Sequence, residues 1–432
     1  MGAQTRRADL DSATTRVSGY AWYTLILLTV VYLLNFIDRQ MLNILIVPIK
    51  AELHASDTQM GVLSGFVFAL FYTLFGIPLG RAADVWDRRY LIALGLAAWS
   101  TMTALTGFAR SYGQLVAARI GVAVGEASCT PPAFSIIADY FPPRRRATAL
   151  AIYSMGIYIG AGVGLFLGGF LAERFSWRTA FIAAGLPGVA LAGWVATLRE
   201  PVRGATEGGA SGRRRAVGSV VSYTLRTPTL IYHHLGFSLL ALSGYGLGAW
   251  LPAFFVRIHG QALSRVGLLI GVISSAGGMI GSFSGGWLAD RWTVRDPRAR
   301  LFIGAGVGLI GLPFLCGVLY APSSTLAWAF ALPLTIVGAS WLGPAASMIQ
   351  DLVLADMRAL SSAIYLFIVN LVGLGVGPVA VGWLTDSLGS PLAVRESLLI
   401  VSAMAGTGAA VVLLLASRHV ASDLHAKTAR LA

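Results

Sequence analysis

Of the 432 residues, 56% are apolar and only 12% charged, with a mean hydropathy of +0.72 and a formal net charge of +13. A soluble domain carries about 25% charged residues, so a water-soluble fold of this length would leave much of its apolar surface in water; lipid is the expected solvent. Nucleic acid is excluded as a partner, because the basic residues sit in short clusters between long apolar runs and form no continuous face.

The chain opens with a polar, basic stretch, 1–20, holding Arg6, Arg7 and Arg16. The apolar segment behind it is too long for a signal-peptide core and lacks an A-x-A cleavage pattern. A cytoplasmic tail followed by a retained first span is therefore expected. A spanning helix needs about twenty mainly apolar residues. Such runs fall near 21–48, 58–80, 90–108, 113–138, 147–171, 178–198, 229–256, 263–288, 301–320, 325–350, 359–384 and 393–416. They predict an all-α polytopic membrane protein of twelve transmembrane helices. One stretch breaks the rhythm, 199–228, which includes GATEGGASGRRR; its composition predicts a poorly ordered basic linker. It separates a six-helix bundle at 21–198 from another at 229–416, and 417–432 remains as a tail.

Basic residues test the orientation. With the N-terminus in the cytosol, the inner loops hold Arg81, Arg88 and Arg89, then Arg144, Arg145 and Arg146, the arginines of the linker, Arg291, Arg295, Arg298 and Arg300, and Arg358. The outer side keeps scattered cases such as Lys50, Arg110, Arg174, Arg178, Arg257, Arg265 and Arg395. This bias toward the inside predicts both termini in the cytoplasm. Arginine-rich, lysine-poor usage fits a bacterial inner membrane.

The halves echo each other. GRAAD at 80–84 returns as GWLAD at 286–290, and GGFLAE at 168–173 as VGWLTD at 381–386. Between these, Pro132, Ser135, Asp139 and Arg146 align with Pro344, Ser347, Asp351 and Arg358 at one constant offset. Repeated halves place a binding site at their interface near the membrane midplane, so the bundles are expected to be pseudo-symmetric.

The loop after the second span, Gly80 to Asp84 and then Asp87, Arg88 and Arg89, combines a glycine that permits close helix approach with an aspartate at a helix end. Its second-half copy is Gly286, Asp290 and Arg291, and Arg146 follows span four. These eight positions, Gly80, Asp84, Arg88, Arg89, Arg146, Gly286, Asp290 and Arg291, read either as a gating lock on one face or as helix caps and inside-marking charges. Gly-x-x-x-Asp-x-x-x-Arg-Arg between spans two and three resembles the signature loop of the major facilitator superfamily, and nearly the whole chain fits that plan. The family's glycine before the basic pair is replaced by Asp87, which puts the tightness of the turn in doubt. Asn35-Phe-Ile-Asp38-Arg39 in span one, with Arg119 to Ala127, Pro132, Asp139 to Pro142 and Arg146, resembles the spinster-like branch. That resemblance implies a proton-linked carrier of lysophospholipid or sphingoid-type lipids.

Four charges lie inside spans. Asp38 falls near the midplane of span one with Arg39 about 100° round the helix, and Arg119 and Glu126 are two turns apart on one face of span four. A charge at the bilayer centre costs at least about 2.5–3.5 kcal/mol, so none should face lipid. One reading is a buried ion network that fixes packing. The other is a working site, with Asp38 and Glu126 as exchangeable carboxylates and Arg39 and Arg119 as holders of these acids or of an anionic headgroup. Burial and a nearby arginine act oppositely on a carboxylate, so one whose surroundings change with conformation binds and releases a proton.

The second half has almost no intramembrane acids; Glu126 aligns with Gly338. Its polar residues, Ser340, Tyr365, Asn370, Tyr245 and Trp250, read as packing or as contacts to an amphipathic ligand, to which Asn35, Tyr365 and Asn370 are assigned. His233 and His234 are expected at the membrane interface. The glycines of 156–169 fit close helix crossings, for gating or for packing alone, and Cys129 and Cys316 read as small buried hydrophobes. No cofactor, metal site or ATP-binding sequence is expected, and no nucleophile with a base.

The function that follows is a monomeric secondary transporter working by alternating access, with protons, a small amphipathic or lipid-like solute and the bilayer as partners. A proton-coupled drug or metabolite carrier is the rival within the class. A non-transporting receptor or sensor is the rival outside it.

Overall fold

The computed structural model describes residues 17–203 and 216–429, all helical apart from short connections. Arg6, Arg7, Arg16 and the Arg213 to Arg215 run lie outside the described residues. In chain order α1 is Gly19–Leu53. α2 runs as Asp57–Gly61, a π turn Val62–Phe66 and Val67–Val85. α3 is Arg88–Thr106, and α4 is Tyr112–Ala127 continued by Thr130–Tyr140. α5 is Pro143–Arg174, α6 Trp177–Ala196 and the short α7 Val217–Leu225. α8 is Pro228–His259, α9 Leu263–Thr293 and α10 Ala299–Tyr320. α11 is Ser324–Ala339 continued by Leu342–Leu352. α12 runs as Arg358–Val369, a π turn Asn370–Leu374 and Gly375–Leu388; α13 is Ala393–Ser417 and α14 Val420–Ala429.

Each predicted span is a helix, and local chemistry sets the ends. Ser18, Ser111, Ser176 and Ser323 accept backbone N–H groups at the starts of α1, α4, α6 and α11, satisfying donors that have no partner within the helix. The interruption of α4 at Ser128 and Cys129 precedes Pro131 and Pro132, whose missing N–H groups break the ladder. The interruption of α11 at Ser340 and Trp341 precedes Pro344 and repeats it at the constant offset. Eleven helical segments among the described residues are long and apolar enough to cross a membrane; α3 does not reach that level of hydropathy. Outward-facing side chains are apolar, among them Ile26, Leu94, Leu186, Phe283, Trp383 and Met404, a surface that suits acyl chains and would aggregate in water.

α1 packs along α5, α3 along α6, and α8 along α13, while α5 meets α9, α2 meets α12 and α1 meets α8. These last three pairs join the parts of the chain before and after the 199–228 segment. The glycines of α5 serve two neighbours: a Cβ at Gly164 would strike Ile37 of α1, and one at Gly162 would press on Ser275 and Gly271 of α9. Both sides of that run are therefore used for close crossings.

Two expectations change. The 199–228 segment is not structureless throughout: α7 buries Val220, Tyr223 and Thr224, and the Tyr223 hydroxyl donates to the Leu352 carbonyl at 2.8 Å. An amphipathic segment beside an apolar helix end folds onto it. Cys129 is buried as expected, but Cys316 lies on the outer surface of α10, where lipid tolerates it equally.

Candidate functional site

Asp38 lies near the middle of α1 and is 4% exposed; Glu126, at the end of the first part of α4, is 0% exposed, and Arg119 is 6% exposed. Helical geometry sends Asp38 and Arg39 in different directions. Arg39 reaches α4, its Nε donating to Glu126 Oε2 at 2.6 Å. Asp38 turns to α3, where the Thr103 hydroxyl stands 2.6 Å from Oδ2. Arg119 is also close enough to act on Asp38, so the four charges form one cluster.

Aromatic rings complete it. Phe68 lies between the two guanidiniums, its centroid 4.6 Å from the Arg39 carbon and 4.7 Å from that of Arg119. Tyr72 at 4.8 Å and Phe36 at 5.1 Å add to the faces around Arg39. Desolvated cation–π contacts of this kind contribute about 2 kcal/mol each, and they hold a cation without using its N–H donors. Nε of Arg119, Oε1 of Glu126 and Oδ1 of Asn35 are buried without a hydrogen-bond partner. A small cavity of about 10 Å³, room for a single water, is lined by Asp38, Leu63, Thr106, Arg119, Val122 and Phe181. Thr103, Phe68 and Tyr72 had no sequence signal, since threonine and aromatic residues are ordinary in a span.

Among the second-half residues, the Tyr245 hydroxyl donates to Asn370 Oδ1 at 3.2 Å, where the π turn of α12 begins, and Tyr245 is close enough to interact with Arg39 and Tyr72. Gly338, aligned with Glu126, borders open space. Tyr365 stands apart from Asn370, buried against His233 and His234. Trp250 and Ser340 are packing residues: Trp250 Nε1 donates to the Pro378 carbonyl at 2.8 Å and Ser340 Oγ to the Val337 carbonyl at 2.8 Å. His233 and His234 do not lie on the outer surface. They are 0% and 4% exposed, because α11 and α12 cover the start of α8.

The residues of the loop motif divide by role. Arg88 is buried and holds Asp139 at 2.6 Å, Glu200 at 2.5 Å and Ser135 Oγ at 2.6 Å. Arg300 pairs with Asp351, and both members of this pair stand at the constant offset from Arg88 and Asp139. Asp87 caps α3 through the Arg89 N–H with φ of −64°, so the turn has no need of the family's glycine. Arg89 also reaches Asp87 and the Leu198 carbonyl, Arg146 the Ala138 carbonyl, and Arg203 the Asp84 carbonyl. A Cβ at Gly80 or Gly286 would meet nothing within 4 Å. Gly80 makes no close helix contact here, whereas the Gly286 backbone lies beside Gly343 of α11, whose Cβ would come within 3.5 Å of it, a contact inside the second half; Asp290 and Arg291 lie exposed at the end of α9.

The opposite end is closed. Asp57 pairs with Lys50 at 2.6 Å and with Arg257 at 2.7 Å, and Asp386 accepts the Asp57 and Thr58 N–H groups at 3.0 and 2.7 Å. A Cβ at Gly61 or Gly382 would collide with the facing backbone of Pro378 or Asp57. Glu173 accepts the Ser264 N–H at 3.0 Å. Thus a carboxylate ending α12 caps the start of α2, and one ending α5 caps the start of α9, each favoured by the positive end of the capped helix.

Comparison with known proteins places this geometry. The model of the Major Facilitator Superfamily matches residues 28–374. The chain is 36% identical to an MFS-type efflux pump of Mycolicibacterium smegmatis, over 97% of this chain and 98% of that protein. It is 25% identical to the protein spinster of Drosophila melanogaster, over 88% of this chain and 64% of that protein. Among solved structures it resembles a bacterial homolog of the human lysosomal transporter Spinster in an inward-facing, unoccupied conformation, with a TM-score of 0.80 and 31% identity over 94% of this chain and 98% of that one.

Proposed function

The chain belongs to the Major Facilitator Superfamily, a family of transporters and not of enzymes, and we propose that it carries an amphipathic, lipid-like solute by proton-coupled alternating access. The observation that carries this reading is the buried quartet of Asp38, Arg39, Arg119 and Glu126 with its unpartnered atoms. A network serving packing alone has no need of four charges, each costing at least about 2.5–3.5 kcal/mol at the bilayer centre.

Asp38 is built for two protonation states. Ionised, it accepts from Thr103; neutral, it donates to that hydroxyl, which turns to the Trp99 carbonyl 2.9 Å away. Glu126 has one oxygen on Arg39 and the other empty, ready for a proton. Neutralising Glu126 frees Arg39, which with Arg119 presents guanidinium donors to a carboxylate or phosphate headgroup. Asn35 and Asn370 complete the proposed solute contacts, with the tail along apolar wall; Tyr365, expected among them, is instead buried against His233 and His234.

Twelve spans follow if α3, which packs against α4 and α6, also crosses. In this reading 21–198 and 229–416 are pseudo-symmetric bundles, supported by the repeated breaks in α4 and α11 and the repeated pairs Arg88–Asp139 and Arg300–Asp351. Both termini lie in the cytosol of a bacterial inner membrane, so the closed end is external. Alternating access then exchanges the tight contacts at Gly61 and Gly382 for contacts at Gly80 and Gly286, with Asp84, Asp290, Arg88, Arg89, Arg146 and Arg291 around the second gate.

Extrusion of drugs or metabolites is the second reading, favoured by the full-length likeness to an efflux pump. Reconstitution into liposomes with an imposed pH gradient, using lysophospholipids, sphingoid bases and cationic drugs, separates the two. Gradient-driven flux of the lipids supports the first reading. Flux of drugs alone supports the second, and binding without flux of any solute overturns both.

A further inference from the structure

We propose that α7 is a membrane-surface anchor. Its stripe of Val217, Val221 and Leu225 rests at the headgroup–acyl boundary of the bilayer, and the basic residues beside it bind anionic phospholipid. This goes beyond the transport reading and depends on neither the solute nor the proton. It needs only that this end of the chain meets a bilayer surface.

The nine residues of α7 divide into three arcs. Val220, Tyr223 and Thr224 are buried against the protein, and the Tyr223 hydroxyl ties the helix to the Leu352 carbonyl. Val217, Val221 and Leu225 recur at every fourth position and so form one stripe; they are 57%, 37% and 66% exposed. At about 100° per residue the stripe adjoins the buried arc at Val220 and Thr224, and Ser219 and Ser222 fall opposite both. A helix with water on all its free sides would not carry valine and leucine along 217, 221 and 225. One polar edge beside a wide apolar arc is the pattern of a helix lying in the plane of an interface.

What covers the stripe follows from where α7 lies. Arg226 and Thr227 join it to Pro228, the first residue of α8, and it packs on α8 and on the first part of α12. Both helices continue into apolar spans. α8 exposes Ile231 and Leu235 within its first two turns, so acyl chains reach the level next to α7. The apolar arc thus passes from protein to lipid without a break.

Charge selects the lipid. Arg226 follows the helix directly, and Arg213, Arg214 and Arg215 precede it in the sequence. Arg358 begins α12 and Arg418 ends α13; these two and Arg226 are exposed and join no ion pair among the described residues. Lys427 of α14 donates to the Asp351 carbonyl at 2.6 Å and is close enough to Arg358 to be repelled by it. Nearby carboxylates are engaged or outnumbered: Asp351 pairs with Arg300, Asp423 accepts the Thr229 N–H at 2.9 Å, and Asp356 is a single further charge. The surplus is positive. A net-negative headgroup balances it and a zwitterionic one does not.

The test places spin labels at single cysteines, V217C, V221C, L225C, S219C and S222C, each with C316S, in the full-length protein. The stripe positions are exposed, so labels there spare the docked face. Nanodiscs are made of phosphatidylglycerol or of phosphatidylcholine, and relaxation by oxygen, which enters lipid, is compared with that by a water-soluble nickel chelate. In phosphatidylglycerol oxygen should dominate at the three stripe positions and nickel at the two serines. The contrast should shrink in phosphatidylcholine and in R226Q, since one basic residue near an anionic surface changes binding about fivefold. Nickel reaching the stripe as readily as the serines would overturn the proposal. Exclusion of both reagents would do the same, because protein and not lipid would then cover the helix. Equal contrast in the two lipids would remove the anionic headgroup from it.

Discussion

Arg39 on α1 and Glu126 on α4 meet at 2.6 Å, with the Glu126 side chain wholly shielded and that of Arg39 one-fifth exposed. The pair therefore sits at the edge of the interior, where one member is within reach of water. Removing a partner from a buried pair costs about 3–5 kcal/mol because a lone charge remains, whereas glutamine keeps the shape. Glutamine leaves the Arg39 charge without its counter-charge, so E126Q is expected to keep the fold at a lowered melting temperature, and to lose gradient-driven uptake in proteoliposomes by at least about tenfold. Undiminished coupling in this variant would remove Glu126 from the mechanism.

Thr103 offers a finer probe, because its hydroxyl serves both states of Asp38. Valine keeps the volume and deletes both hydrogen bonds; serine keeps the bonds. A hydrogen bond to a charged group is worth about 1.5–3 kcal/mol, so T103V should reduce proton-driven flux by about one to two orders of magnitude, with T103S near wild type. Equal flux in T103V and T103S would show that Asp38 works without this partner.

The closed end rests on Asp386 and Glu173 as helix caps. D386A and E173Q each weaken it. The accessibility of L63C, in a C316S background, to a membrane-impermeant thiol reagent reads the opening, since Leu63 is buried beside the small cavity. Labelling rates should rise about tenfold or more for D386A, which leaves two backbone donors without their acceptor, and less for E173Q, whose amide oxygen still accepts the Ser264 N–H and which loses only the charge at the helix end. Rates that do not change would assign these carboxylates to ordinary capping.

Glycines at the two ends should behave oppositely. Leucine at Gly382 strikes the Asp57 backbone in the present conformation, whereas leucine at Gly80 meets open space. G382L should expose the closed end and lower thermal stability. G80L should leave stability unchanged and abolish transport by holding the present conformation, measured as a single interspin distance between the halves. Normal turnover in G80L would mean that Gly80 never enters a close contact.

The helical architecture was legible because apolar length is a one-dimensional property, and Asp38, Arg39, Arg119 and Glu126 were legible because a charge in a span has few bland explanations. How these four combine was not. Two turns of one helix set Arg119 and Glu126 on a common side, yet Glu126 takes Arg39 from α1 while Arg119 lies over Phe68; the partner choice is tertiary. The burial of the histidines was hidden for the same reason. A polar pair near a helix start reads as interfacial until α11 and α12 are seen covering it. The helix α7 was hidden in a segment whose average composition is set by its glycines and arginines.

Arg88 joins α3 to Asp139 of α4 and to Glu200, and Arg300 joins α10 to Asp351 of α11. Each clasp closes within one half of the chain and none spans the two. If the two proposed bundles move as blocks, what holds them together is the Asp57–Arg257 pair and the Asp386 and Glu173 caps, and heat and strain should part these contacts before melting either clasp. Amide exchange should then vary between functional states along α2, α5, α9 and α12 and stay constant around the two clasps.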